Sequence, residues 1–395
     1  IIATLVLGRF VCGWACHLVA LQDLCSWLLE KIGLRPKPFR SRLLVYVPII
    51  VAFYMFAWPL IYRWLIKPPT QPFFPNFTNH LVTTDFWATF PPFAVAVPFL
   101  FICGFATVYF LGSKGFCTYG CPYGGVFGFA DMVAPGRIRV TDACNSCGHC
   151  TAVCTSNVIV HAEVEKYGMV VDPGCMKCMD CVSACPNDAL YFGFGKPAAV
   201  KKTLKRSYSL TWTEEIAAAM VFILSYFAVW DAYQLVPMFM ALGIAMVTTF
   251  IAVRLYRLFT SKQVSFYRYN LRSNGKITTS GLIFAVLAIS WLGLNAHTGW
   301  IRYHEREGAI AFESVRTPDE LALARTIVSP WLTPADKRNI DEGREHFRDA
   351  VDLGLFTNKE ALSKYAWLEY LGGDTGRALE LLDKAAYHQT GQTRS

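Results

Sequence analysis

Residues 43–62 and 91–111 each run without one formal charge. A bilayer core of about 30 Å takes roughly 20 apolar residues in helical form, because only a helix or a closed barrel satisfies its own backbone there. Residues 216–253 are too long for one span and carry a single charge, Asp231, ahead of Pro237. They read as a helical hairpin turning over residues 231–237. Residues 277–300 form the next span, closed by Trp300, an aromatic of the kind that gathers at membrane interfaces. The opening IIATLVLG has no initiator Met and reads as the tail of an earlier helix, giving five visible spans and a truncated sixth. Composition agrees: 54% of the residues are apolar and 17% charged, where a soluble domain is about one quarter charged. A disordered chain and an ordinary cytosolic enzyme are both excluded.

Loop charge sets the orientation. Residues 31–42 and 257–276 each hold five Lys/Arg and no acid, which places them in the cytoplasm by the positive-inside rule. Alternating the spans puts residues 112–212 inside as well, and puts residues 67–90 and the C-terminal hundred or so outside. The expected location is a bacterial inner membrane, crossed several times, with a periplasmic C-terminal domain. Residues 298–395 carry 13 Lys/Arg against 16 Asp/Glu, leaving 24 against 13 in residues 1–297. The net +8 therefore belongs to the membrane half, and no nucleic acid is needed to explain it.

All fourteen cysteines lie between Cys12 and Cys185. Eight of them form two runs with the same gaps: Cys144, Cys147, Cys150 and Cys154, then Cys175, Cys178, Cys181 and Cys185, the last followed by Pro186. Two-residue gaps let three thiolates of one tight loop reach three corners of a cubane, and the fourth ligand comes from elsewhere. In two-cluster ferredoxins the trailing cysteine of each run serves the other cluster. Cys144, Cys147, Cys150 and Cys185 are thus expected around one [4Fe–4S] centre, and Cys175, Cys178, Cys181 and Cys154 around a second. Structural zinc would favour paired hooks at longer separation. Thr155 stands after Cys154 where the motif prefers Pro, at the expense of a local turn. Residues 158–171, between the runs, read as β-rich. His149 and Lys177 sit inside the loops, where a solvated side chain is the ordinary case and tuning of a cluster the less common one.

Two further pairs look like copies of one device: Arg9, Cys12, Trp14 and Cys16, then Lys114, Cys117, Tyr119 and Cys121. Each has a basic residue three before the first Cys, an aromatic two after it, and a second Cys at i+4. On one helix, i and i+4 share a face, so each pair is expected to present its thiols together at the cytoplasmic end of a span. With these motifs the chain resembles the membrane-bound polyferredoxins of the NapH/NosR/CcoG type, which carry GRxxCGWxCP and CxxxCP motifs. The resemblance covers roughly residues 1–200. It implies a helical membrane domain bearing a two-[4Fe–4S] module, and quinol-linked electron transfer of the quinol dehydrogenase type. Cys12, Cys16, Cys117 and Cys121 carry over with the eight cluster cysteines. His17 departs from the family's Pro. The resulting Cys12, Cys16, His17 is a lengthened form of the haem c attachment signal, but covalent attachment happens outside, so haem c is not expected. A metal shared by the two pairs, a reversible disulfide and buried structural thiols stay open. Cys25 and Cys103, without partners at useful spacing, read as small apolar fillers.

Residues 318–388 read as amphipathic helices, with starts at Pro334 and Asn358 and a break at Gly372, Gly373 and Asp374. The segment from Ala366 through Ala378 and Leu382 to Ala385 resembles a tetratricopeptide helix pair, present as about one and a half units where an array needs about three. The fold class expected is an α-helical polytopic membrane protein with an inserted two-[4Fe–4S] ferredoxin-like α+β module and a C-terminal all-α TPR-like domain. Its divisions fall at residues 1–135, 136–200, 201–300 and 301–395. His80, Asp85, Asp231 and His297 are the polar groups available for quinol deprotonation. The function that follows is electron transfer between a quinone or membrane partner and a larger respiratory or photosynthetic complex. Its expected partners are membrane lipid, quinone and redox subunits such as a cytochrome or reductase. Alternatives are a maturation factor that reduces a metal before its insertion, and a structural subunit.

Overall fold

A chain this apolar buries backbone polarity in helices before anything else, and the computed structural model is mostly helical. It describes residues 2–36, 39–66, 92–156, 158–198, 208–316, 332–356 and 358–390. His80 and Asp85 lie outside these residues. Among the described residues, four helices are long and apolar enough to cross a membrane: α4 (Leu44–Leu65), α11 (Trp212–Val229), α12 (Met238–Thr260) and α13 (Thr279–Ser314), with a shorter fifth, α5 (Val95–Leu111). The hairpin expected around Asp231 is present between α11 and α12, with Asp231 (φ 59°) in a left-handed turn. The span expected to stop at Trp300 continues to Ser314. At 36 residues and about 1.5 Å per residue, α13 is about 54 Å long, well beyond the hydrocarbon thickness. Leu65, Phe101, Leu224 and Leu287, spread over four of these helices, are large apolar side chains left exposed. Such faces are ordinary where lipid, not water, is the solvent.

The chain divides into two units, Ile1–Phe222 with Leu242–Leu282, and Ile223–Ala241 with Ile283–Ser395. In the first unit, prolines dictate local winding. Phe53–Ala57 and Tyr62–Ile66 are π-turns flanking Pro59, and Phe101–Ala106 is a π-turn following Pro98. Each relaxes the ladder next to a residue that has no N–H to give. Ahead of the first proline, buried Glu215 receives Ser41 Oγ–H (2.6 Å) and the Arg42 N–H (2.8 Å), so a carboxylate closes the N-terminal end of α4. Cys25 and Cys103 are fully buried among apolar groups, as fillers would be. The basic segment after α12 folds into a small antiparallel sheet, β3 (Val264–Phe266), β4 (Tyr269–Ser273) and β5 (Lys276–Ile277). Asn274 (φ 50°) and Gly275 (φ 79°) make its tight turn.

The elements that carry the cysteines follow in order: α1 (Ile2–Leu7), α2 (Phe10–Trp14), α3 (His17–Lys31), then α6 (Gly115–Tyr119) and α7 (Pro122–Val133). β1 (Gly136–Val140) pairs antiparallel with β2 (Leu190–Phe194), in register from Gly136↔Phe194 to Val140↔Leu190. Between them stand α8 (His149–Ala152), α9 (Val160–Tyr167) and α10 (Asp180–Ser183). The expectation of β structure over residues 158–171 is corrected here. Val160 and Val164 are one helical turn apart on a buried face of α9, and only Met169 joins the sheet, through a bridge to Arg139. The run of β-branched residues reflects a buried helix face, for which length and period 3.6 decide over composition.

In the second unit, α14 (Pro334–Leu353), α15 (Lys359–Leu371) and α16 (Thr375–Thr390) enclose Ile340, Phe347, Leu362, Tyr365 and Leu381, with Ala309 and Phe312 of α13 packed on them. The expected helix starts hold. Thr333 Oγ1 accepts from Asp336 N–H (3.0 Å) and Asn358 Oδ1 from Glu360 N–H (3.1 Å), each an N-cap. Gly373 (φ 93°) turns the chain between α15 and α16.

Candidate iron–sulfur centres

The two cysteine loops share one backbone. Ser146 (φ 55°) and Gly148 (φ 80°) are left-handed in the first, and Lys177 (φ 53°) and Met179 (φ 70°) take the matching places in the second. A left-handed non-glycine residue costs about 1–2 kcal/mol, and three of these four positions bear that cost. Alternating right- and left-handed residues aims successive N–H groups to one side, which makes a concavity for an anion. Each loop then enters a short helix, α8 or α10.

Cys144, Cys147, Cys150 and Cys185 line one cavity, backed by Val164, Ala189 and Leu190. Cys181 lies within electrostatic reach of Cys175, Cys154 and Cys178. Cys150 is also near Cys181, so the two expected sets adjoin each other. Backbone N–H groups serve the sulfurs: Ala189 donates to Cys185 Sγ (3.3 Å), Thr151 to Cys150, Asp180 to Cys178, and Ser156 and Val158 to Cys154. Burial, followed by the Cys175 thiol, holds Cys154 up to about 11, and burial pushes Cys178 up to about 12. Bare thiolates are thus unfavourable here, and the donor set calls for a metal centre to bind them. Among the described residues, no three His, Cys, Asp or Glu side chains close on one point as the shell of a single ion would. Four cysteine sulfurs around one cavity are a donor set that fits a [4Fe–4S] cluster. The sets differ in access: Cys144 and Cys147 are exposed, whereas Cys175 and Cys181 are buried.

Beneath the second loop lies a charge cluster that the sequence did not announce. Asp131, fully buried on α7, accepts from Arg9 N–H (2.9 Å) and from Arg137 Nη2 (3.2 Å) through its two carboxylate oxygens, and pairs with Lys177 Nζ. Arg137, buried on β1, also donates to the Val170 carbonyl (3.0 Å). The expectation that Lys177 is solvated is therefore corrected: it is 2% exposed, while His149 is exposed as expected. A lone Asp ending an apolar helix, six residues before a basic residue in a strand, was the available signal.

The twin pairs are corrected in geometry. Cys12 sits in α2, but Ala15 breaks the helix and Cys16 (φ −84°, ψ 116°) is the extended residue that opens α3. Cys117 sits in α6, and Cys121 (φ −80°, ψ 116°) opens α7 in the same way. Neither pair shares one helix face. The likeness between segments is real, but it is a repeated break between two helices. Gly13 has no room for a Cβ, which would come within 2.4 Å of the Met176 carbonyl oxygen. Trp14 Nε1–H donates to the Lys177 carbonyl (3.1 Å). The first segment thus packs on the second cysteine loop. His17 begins α3 with its side chain exposed. In the second unit Asp231 is exposed and 3.7 Å from Arg302, while His297 Nδ1 is buried without a partner among the described residues.

Comparison with known proteins matches residues 143–190 to a family model described as a 4Fe–4S dicluster domain. Residues 1–35 and 93–141, which hold the twin segments, match one described as a 4Fe–4S binding domain. The chain is 28% identical over 218 residues to the electron transport protein YccM of Escherichia coli, covering 52% of this chain and 57% of that one. It is 26% identical over 196 residues to the ferredoxin-type protein NapH of Haemophilus influenzae, covering 47% and 63%. The methylamine utilization ferredoxin-type protein MauN of Methylorubrum extorquens is 25% identical over 176 residues, covering 41% and 52%. The matches thus span somewhat more than half the length of these relatives. No solved structure matches. With 4Fe–4S family models matched over both cysteine regions and helices fit to cross a bilayer, the chain is similar to the ferredoxin-type electron transport proteins of the NapH kind.

Proposed function

We propose that this chain is a multi-pass inner-membrane subunit that holds two [4Fe–4S] clusters on the cytoplasmic side and exchanges electrons between a quinone pool or membrane partner and a larger redox complex. The observation that carries the reading is the cavity lined by Cys144, Cys147, Cys150 and Cys185, with Cys154, Cys175 and Cys178 near Cys181. Cys144, Cys147, Cys150 and Cys185 would ligate the first cluster, and Cys175, Cys178, Cys181 and Cys154 the second. A [4Fe–4S] cluster supplies one-electron chemistry that side chains lack. The protein's part is to fix the sulfurs, aim N–H groups at them and exclude water from one set more than the other. Exposed Cys144 and Cys147 suit exchange with a soluble carrier, and the buried second set, packed against the first twin segment, suits exchange with a membrane-side partner.

The five basic residues in each of the segments 31–42 and 257–276 support the cytoplasmic placement. Helices α14 to α16, which we read as TPR-like, would then present a periplasmic docking surface for a cytochrome or reductase. The printed names of YccM and NapH support electron transfer, not its donor or acceptor.

The test is an anaerobic titration of the purified full-length chain in detergent. Dithionite is expected to elicit an EPR signal of reduced clusters, and a quinol analogue to reduce part of the same population. Cys147→Ser should remove one cluster signal and leave the other. Protein that carries zinc in place of iron, or gives no signal on reduction, would refute the reading.

A further inference from the structure

Taken as a span, α13 leaves the bilayer well before it ends. From Thr279 to Ile301 it rises about 33 Å, close to the roughly 30 Å of a hydrocarbon core. Trp300 and Tyr303 stand exposed at that height, as interfacial aromatics do. Beyond it, contacts between α13 and α14 follow in opposite order along the two helices. Asn339 Nδ2–H donates to the Ser314 carbonyl (3.2 Å), and Gly343 lies against Ala311. His346 Nδ1 is 2.9 Å from His304 Nδ1, and Ala350 shares an apolar cluster with Ile301. As α13 runs outward, α14 therefore runs back, and its C-terminal end returns to the height of Trp300.

The turn between α11 and α12 marks the same height. A turn joining two spans lies where its backbone groups can meet water or headgroups. Asp231 is 3.7 Å from Arg302, and Ala232 and Tyr233 belong to the cluster of Ile301 and Ala350. The loop after α14 is fastened to this turn. The Leu355 N–H donates to the Tyr233 hydroxyl (3.1 Å), and the Phe356 ring meets the Tyr233 ring edge-on with centroids 5.4 Å apart. Gln234 Nε2–H donates to Glu360 Oε2 (2.7 Å) at the start of α15. Yet the loop's apolar side chains are left open: Leu353 and Leu355 are 56% exposed and Phe356 62%. A single exposed leucine needs no explanation, but three large apolar groups within four residues, with no charge among them, mark a contact surface.

We propose that Leu353, Leu355 and Phe356 insert into the headgroup–acyl boundary of the phospholipid bilayer at the end where α13 emerges. The bundle of α14 to α16 is then held to the membrane surface by lipid as well as by α13. Lipid is the occupant because the loop is tied to the turn of two spans and stands level with the aromatics of a third. Shallow burial of such side chains beside a headgroup-level turn is how interfacial segments bind.

The proposal rests on the reading of α11, α12 and α13 as spans, and the test keeps the two apart. The full-length chain is reconstituted in vesicles of phosphatidylethanolamine and phosphatidylglycerol, with p-benzoylphenylalanine in place of one residue at a time. After illumination, mass spectrometry counts lipid adducts. Positions 355 and 356 are expected to label lipid. Position 338, where Arg338 is exposed about 22 Å back along α14, should not. Position 224, where Leu224 is exposed on α11, reports on the spans themselves: if it fails to label lipid, the span reading falls with the proposal. Lipid labelling at 224 without any at 355 and 356 overturns the proposal alone, as does a crosslinked dimer of the chain in place of the adduct. Phe356→Asp should cut the adduct at position 355 several-fold, and an unchanged yield would show that the loop is merely near the surface and not inserted in it.

Discussion

Asp131→Ala is expected to cost on the order of 3–5 kcal/mol of stability, the range for breaking a buried pair from one side. The carboxylate holds three donors at once: the Arg9 N–H, the Arg137 guanidinium and the Lys177 ammonium. Arg137 and Lys177 are both almost inaccessible to water, so its removal leaves two buried cations without the carboxylate that pairs with them. Damage should spread to the second cysteine loop, because Lys177 is the left-handed residue between Cys175 and Cys178. Asp131→Asn keeps an acceptor for the Arg9 N–H and loses only the charge, so it should fall between the two. Thermal denaturation in detergent, read beside iron content, checks the order wild type, Asn, Ala. Equal melting of Ala and wild type would show that the cluster of charges is not needed for folding.

Cys181→Ser is expected to remove about four irons per chain and to abolish electron exchange with a membrane-side partner. Cys181 lies near Cys175, Cys154, Cys178 and Cys150 and is also packed in the module's core with Ile138, Val164 and Leu190. Serine therefore does two kinds of harm, replacing a soft ligand by a hard one and placing a hydroxyl among aliphatic side chains. Cys147→Ser is the control, since that sulfur is exposed and its loss leaves the core intact. Iron analysis and EPR of both variants separate the effects. Retention of the full signal by Cys181→Ser would remove Cys181 from the ligand set.

The legible parts of the sequence were those governed by short-range rules. Charge-free runs gave the spans, Asp231 with Pro237 gave the hairpin turn, and Pro334 and Asn358 marked helix starts through signals confined to a few neighbouring residues. The gaps between cysteines pointed to the set Cys144, Cys147, Cys150 and Cys185, which lines one cavity, because a tight loop can reach only so far. What stayed hidden depended on long-range packing. Nothing near Lys177 in the chain shows that Asp131, 46 residues earlier, will meet it, so a solvated lysine was the ordinary expectation. The i+4 spacing of the twin cysteines looked helical because Ala15 and Gly120 do not advertise a break. The valines around α9 were ambiguous for the same reason, since burial against a sheet and membership of one draw on the same residues. The Asn274, Gly275 turn, by contrast, could have been read and would have located the small sheet.

The unequal access of the two quartets has a practical side. Dioxygen and chelators arriving from water meet Cys144 and Cys147 first, while Cys175 and Cys181 are screened by side chains. A preparation left in air therefore ages from one end, and its colour fades in two stages. The amount of inorganic sulfide left at the intermediate stage reports how far the stripping has gone.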